Sequence, residues 1–411
     1  MTIDESYSDR RRVLARQWDE LVDEIRSLDG FETFFEPPDV DDLLTAGDNG
    51  PVIVVNVSRW RCDALVVADG TIDVVPLADM TLEDAQRRTA RHFENLVWHT
   101  TTLNGIDSAR REFNTSRSPA AARGVRDATE AQYQARIKLN EDLAATLAWL
   151  WDVLVEPLGK YLVDRTSRVW WSPTGPLAVL PIHAAGSPSS GWLVDRVASS
   201  YAPSLRSLIA ARGAQPTGNP TRSRFGIIST LGDADHLVGV AGPLRELVGP
   251  DLLVSSGSAT VAEAHRVLAE CTSVHFDCHA IQNLSAPGDG GFILNDGMLR
   301  VFELARTVAS RELAGLAACD TAAGGSELFN ESITLATALH YSGFRHVVGA
   351  LWELRDDVAR TVFADLYRDL VTADGLVTAH TGAAVSRIVR ALRSAKPDDP
   401  YTWASLIHLG P

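Results

Sequence analysis

The sequence predicts an α/β protein: a layered domain on a mostly parallel central sheet, preceded by a smaller α+β and helical region. Three observations carry this. From residue 168 onward, short apolar runs of strand length alternate with segments of helical period. Most of these runs are joined through a helix, and a strand–helix–strand crossover makes consecutive strands parallel and right-handed. Before residue 160 the order differs, with a helix, a pair of strands and then long helical stretches.

The elements follow in order. Over 8–28, Val13, Leu14, Trp18, Leu21, Val22 and Ile25 recur near the helical period and predict a helix. Pro37-Pro38 and the run Gly47-Asp48-Asn49-Gly50-Pro51 interrupt the chain. PVIVVNVS (51–58) and ALVVADGTIDVVPL (64–77) predict strands, the second folding back at Asp69-Gly70. Thr81-Leu82-Glu83-Asp84 resembles a capping box and opens a helix. The polar stretch 106–125 predicts a loop, and a long helix is expected over about 127–155, ending before Pro157. Beyond it, VWWSPTGPLAVLPI reads as strand, turn and strand, and RFGIIS (224–229) and LLVS (252–255) as further strands. TVAEAHRVLAE (260–270) is a helix capped by Thr260, SVHFDCHA (273–280) a strand, and 283–298 a glycine-rich hairpin. A helix over 301–310, a strand over 313–319, a helix over 331–343 and a strand over 344–352 follow, then helices over 356–371 and 376–394. We divide the chain at 160: an N-terminal α+β region (1–160) whose long helix packs through Trp149 and Trp151 on a C-terminal domain (161–411).

Composition bounds the function classes. The chain has 411 residues, 45% of them hydrophobic and 22% charged, and a net charge of -15. An acidic chain without a basic face does not suit nucleic acid, while it does suit solubility or a cationic peptide. No apolar run approaches the ~18 residues of a membrane span. The first residues carry neither an apolar segment nor a small-residue cleavage site, so a cytoplasmic protein is expected. The four cysteines, Cys62, Cys271, Cys278 and Cys319, form no CxxC pair. That disfavours both a disulfide framework and a zinc site, and no cofactor or metal is expected.

Two strand ends carry chemistry. Parallel strands direct their C-terminal ends to one sheet edge, where ligands bind in open α/β sheets. Neighbouring strands lie about 4.8 Å apart, so His279 and Cys319 can meet there across one or two strands. A thiol becomes nucleophilic on losing its proton, an imidazole can take that proton and return it to a leaving amine, and backbone N–H groups can hold the developing oxyanion. Taken singly, each residue reads more readily as structural: Cys319 as a small buried apolar group and His279 as a packed histidine. His275 shares a face with His279 about 13 Å away along the strand and reads as a core or supporting histidine. Cys278 points to the other face and reads as core.

The ordered motifs decide between these readings. HFDCHAIQN resembles the histidine motif of CHAT-domain proteases, LAACDTAAGG their cysteine motif, and GFRHVVGALWELRDD their following strand segment. WWSPTGPLAVLPIHA, LVDRVASSYAPSLRSL and PYTWASLIHLG are similar to further family segments, in the family's order over about 168–411. The resemblance implies a caspase-like three-layer sandwich, related to caspases, metacaspases and separase. It implies a cysteine endopeptidase with His279 as general acid/base and Cys319 as nucleophile, the Cys319 N–H lying in the oxyanion hole. Ala280 stands where the family often has Gly, against the peptide backbone. Asp320 fills the acidic position after the cysteine, as a substrate contact or a local turn. Asp356 corresponds to an acid that helps recognise a basic P1 side chain in separase, and it could equally cap a helix. The family implies a protein or peptide substrate, a regulatory protein partner and, for some members, bacterial defence. Many members carry helical repeats before the protease, and no such repeat is visible here. The chain reads as a stand-alone protease with a small head or as the C-terminal part of a longer protein. A non-catalytic scaffold acting through protein binding is the alternative, and a thiol-based ligase a further one.

Overall fold

A computed structural model describes residues 3–162, 168–214, 224–230, 244, 252–255, 257–281, 290–306, 310–317, 335–372 and 375–411. Cys319 and Asp320 lie outside the described residues.

The chain forms two units, Met1–Leu43 and Leu44–Pro411. In the first, helix α1 (Ile3–Arg26) is followed by a segment that turns back on it. The Arg26 Nε–H donates to the Phe34 carbonyl at 2.8 Å, and Trp18 meets Phe35 edge-on with ring centroids 5.3 Å apart. The boundary drawn at 160 from the sequence falls inside the second unit.

The second unit opens on three strands, β1 (Val52–Val57), β2 (Cys62–Ala68) and β3 (Thr71–Pro76), paired antiparallel. The β2–β3 turn is the expected Asp69-Gly70 pair, with φ of 51° and 71°. Positive φ at both central residues gives a turn whose twist matches that of the flanking strands.

Helix α2 (Leu82–Ser116) begins at Thr81, whose side chain accepts from the Asp84 N–H. It runs through most of the stretch expected to be a loop and is followed almost at once by α3 (Pro119–Leu150). Three adjacent residues make this tight reversal: Arg117 closes α2 in the left-handed region (φ 49°), Ser118 caps α3, and Pro119 occupies its first turn. Proline is favoured at that position because its missing N–H has no helical partner there. Pro119 thus starts a helix inside the polar stretch expected to be a loop. The last turn before Pro157 widens to a π turn, with the Glu156 N–H reaching the Trp151 carbonyl at 2.8 Å. Arg136 on α3 grips Asp399 at 2.6 and 2.7 Å, and Asn140 bonds both Asp399 and the Tyr401 N–H. This fixes the long helix to the C-terminal segment.

The remaining strands complete one sheet: β4 (Arg168–Pro173), β5 (Ala198–Tyr201), β6 (Phe225–Ser229) and β7 (Leu252–Ser255), then β8 (Ser273–Asp277). After a small antiparallel sheet of β9 (Ala280–Ile281), β10 (Gly291–Leu294) and β11 (Gly297–Arg300) come β12 (Arg311–Leu316), β13 (Phe344–Ala350) and β14 (Leu406–Leu409). Among the described residues the main sheet has 11 strands in the order β3-β2-β1-β4-β5-β14-β13-β12-β8-β6-β7. Strands β13, β12, β8, β6 and β7 are mutually parallel. Strand β14 runs against β13 and parallel to β5, which is parallel to β4, as β4 is to β1. The second apolar run of the 169–182 segment is not a strand: Gly175–Val179 is a short 3-10 helix, entered through Gly175 at φ 58°.

Helices cover both faces. Helices α4 (Val261–Glu270) and α5 (Leu335–Tyr341) pack on one, burying Val267, Leu268 and Leu339 with Val274 and Phe276 of β8. Helices α6 (Asp356–Leu370) and α7 (Thr381–Ala395) pack on the other, with Phe363, Leu366 and Val385 against Ile227, Leu313 and Val348. The three layers of the expected sandwich are therefore present. Burying one such aromatic or aliphatic side chain contributes about 1.5–3 kcal/mol.

Candidate active site

The parallel half of the sheet sets the site. Strand β8 lies between β6 and β12, all three running the same way, so their C-terminal ends share one edge. His279 leaves that edge two residues beyond β8, and its side chain is exposed. Its carbonyl accepts the Ile293 N–H at 2.7 Å. That bond ties the histidine backbone to strand β10, which pairs with β11; residues 283–289 of the expected hairpin lie outside the described residues. On the adjacent strand, the Ala317 N–H donates to the Phe276 carbonyl at 3.0 Å. Ala317 is the last described residue before Cys319. Strand β12 thus ends, just before Ala317, beside the strand that leads to His279.

Below the edge the two faces of β8 differ sharply. Phe276 stacks on Phe292 at 4.2 Å, and Cys278 is buried on the same apolar side. Burial, with Asp277 adding to it, pushes the Cys278 thiol up, so it stays protonated and inert. Burial raises Cys271 as well, to about 11. The opposite face carries polar groups: the His275 Nδ1 lies 2.7 Å from the Tyr367 hydroxyl of α6, and Asp277 accepts the Ser229 hydroxyl at 3.0 Å. Burial, with the Asp277 charge adding to it, holds the Tyr367 hydroxyl well above its usual range, so it remains a donor. Gly315 makes the contact possible, since a Cβ there would stand 2.4 Å from the Tyr367 hydroxyl and 3.0 Å from His275 Nδ1. His275 is a core histidine supporting the strand that ends in His279. A glycine inside strand β12 (Arg311–Leu316) was the sequence signal for this close approach, and Asp277, flanked by Phe276 and Cys278, was the signal for a buried carboxylate.

The third strand end contributes through β13. The Leu351 N–H donates to the Ser405 carbonyl at 2.8 Å and the Trp352 indole to the Tyr401 carbonyl at 2.9 Å, fixing the exit of β13. Helix α6 then begins with Arg355 in the cap position. Asp356 is its first residue, exposed, so it is not the cap but an acid in the first turn, where the helix dipole favours negative charge. Arg355 is taken by Asp357, at 3.0 and 2.8 Å. Ala280 is fully buried and pairs with Phe292 across β9 and β10. Its methyl faces the core, so any part it takes in holding a peptide goes through its backbone. No group of metal-ligating side chains occurs among the described residues.

A family model described as "CHAT domain" matches residues 144–411. The chain belongs to the CHAT domain family. A search among curated proteins finds no significant match. Among solved structures, the chain is similar to separase in the separase–securin complex of Saccharomyces cerevisiae. In one crystal structure the TM-score is 0.56 at 11% identity, with 90% of this chain and 30% of that chain covered. In a second the TM-score is 0.53 at 12% identity, with the same coverage. The likeness shows that the chain shares its fold with part of separase, and the chain spans about 30% of the separase length. The CHAT match begins inside α3, at 144, so the end of the long helix counts with the CHAT domain. No described helix is long and apolar enough to cross a membrane.

Proposed function

We propose that this CHAT protein is a cysteine endopeptidase in which His279 and Cys319 form the catalytic dyad. The observation that supports this most directly is the register of β8 and β12. Their parallel pairing and the Ala317–Phe276 bond bring the segments leading to both residues out of the sheet side by side. His279 is exposed there, whereas Cys62, Cys271 and Cys278 are buried.

In this reading the imidazole of His279 takes the Cys319 proton, and the thiolate adds to the scissile carbonyl. The tetrahedral intermediate collapses to an acyl-enzyme as the imidazolium protonates the leaving amine. Water, deprotonated by the same imidazole, then releases the acid and regenerates the thiol. Backbone N–H groups at Cys319 hold the oxyanion, and Asp320 and Ala280 line the peptide path. Asp356 selects a basic P1 side chain: its carboxylate is exposed and has no ion-pair or hydrogen-bond partner among the described residues, which leaves it able to take a guanidinium in bidentate fashion. The region before 160 acts as a head through which a protein partner regulates cleavage. A cytoplasmic protein target and a part in bacterial defence are proposals that rest on family resemblance alone.

A thiol-directed covalent probe tests the dyad. It labels the wild type once, labels Cys319→Ala not at all and His279→Ala only weakly, because every other cysteine is buried. Equal labelling of wild type and Cys319→Ala overturns the reading. Labelling without cleavage of any peptide in a library favours the scaffold alternative, and joined products favour a ligase.

A further inference from the structure

A second candidate site lies between helices α2 and α3. Arg87, Arg88, Arg91 and His92 of α2 and Asp142, Ala145 and Thr146 of α3 enclose a cavity of about 140 Å³. Three arginines line one small space in a chain whose net charge is -15. Like charges this close repel, and α2 places Arg87 and Arg91 one turn apart, where the repulsion is greatest.

Two neighbouring acids offset three arginines only in part. Asp84 pairs with Arg87 and its charge also reaches Arg88, while Asp142 faces Arg91 electrostatically. Asp142 in the wall is already engaged on both oxygens, accepting from Lys138 at 2.9 Å and Asn95 at 2.7 Å. Arg91 is exposed and has no hydrogen-bond or ion-pair partner among the described residues. Arg88 stacks on Trp149, its charge centre 4.7 Å from the ring centroid, and donates one N–H to the Ala145 carbonyl at 3.3 Å. Its buried Nε–H reaches no acceptor. Burial lowers the Arg88 pKa, and the adjacent Arg87 charge lowers it further. His92 is lowered to about 4 by burial, so near neutral pH it offers a ring without a charge.

We infer that this cavity binds a small anion of the phosphate class, held by Arg88 from the wall and by Arg87 and Arg91 from the mouth. Guanidinium forks match the geometry of a tetrahedral oxyanion, and pairing relieves the repulsion among the three. The volume suits one phosphoryl group rather than a larger acidic segment. The site also abuts the sheet edge. His92 meets Trp352 edge-on at 4.9 Å, and Trp352 stands at the exit of β13, where α6 and Asp356 begin.

Calorimetric titration of the full chain tests the site, in phosphate-free buffer at constant ionic strength, with inorganic phosphate in one arm and phenyl phosphate in the other. Saturable binding is expected in at least one arm. Arg91→Gln should weaken it tenfold or more, and Arg206→Gln, an exposed arginine on another helix, should not change it. Arg91→Gln removes no hydrogen bond or ion pair seen among the described residues and relieves like-charge repulsion, so its melting temperature without phosphate should not fall below that of the wild type. Tighter binding of phosphate marks the free oxyanion as ligand, and tighter binding of phenyl phosphate marks a phosphomonoester. No saturable binding in either arm, or equal affinity in wild type and Arg91→Gln, overturns the inference.

Discussion

Single side chains decide what the sheet edge can do. Gly315 is the plainest case: its missing Cβ is the space in which Tyr367 reaches His275. Gly315→Ala should destabilise the protein by about 1–3 kcal/mol, as overpacking of a filled core does. A denaturant titration checks this, and an unchanged midpoint would mean that the Tyr367–His275 pair is not a fixed contact. Asp356 carries the specificity claim. Asp356→Ala should lose the preference for Arg and Lys at P1 while keeping its fold, because the residue is exposed and has no partner to lose. Competition between Arg and norleucine peptides reads it out, and an undiminished preference for Arg would assign the P1 pocket elsewhere.

At the scale of elements, local signals were legible where one physical cause dominated. Asp69-Gly70 fixed a turn through its need for positive φ, and Thr260 announced α4 through a cap that accepts the Glu263 N–H. Alternating strands and helices after 168 made the parallel half of the sheet legible, and with it the edge that carries His279. Two local signals mislead: a polar stretch at 106–125 reads as a loop, and Pro-Thr-Gly-Pro reads as a turn between strands. Ser118-Pro119 is a cap and first turn joining two long helices, and Pro-Thr-Gly-Pro leads into a 3-10 turn. The pairing of β14 with β5 joins Leu409 and Tyr201, more than 200 positions apart, and no local pattern encodes it. The importance of the cap can be measured. Ser118→Ala leaves the Ala121 N–H without its acceptor and should cost about 1 kcal/mol, read as a lower midpoint in chemical denaturation.

The whole molecule carries a set of buried imidazoles that bind protons more weakly when folded. His92 and His99 are lowered to about 4, and His183 and His346 to about 3, in each case chiefly by burial. Unfolded, they titrate near 6.5. Between those values the unfolded chain holds more protons than the folded one. Stability is therefore fully present above about pH 6.5 and declines as pH falls toward the folded values, by up to about 1.4 kcal/mol per pH unit for each group. Melting temperatures should drop steadily from pH 7 to pH 5, and a flat profile would contradict the neutral buried histidines. Across the same molecule, the sheet and its two helical layers serve to bring two strand ends together. The most direct test of that is peptide-library cleavage by wild type, Cys319→Ala and His279→Ala. Wild type should cut, and both variants should lose at least 10³-fold in rate, as expected when a nucleophile or its base is removed. Cleavage by Cys319→Ala at the wild-type rate would contradict the dyad.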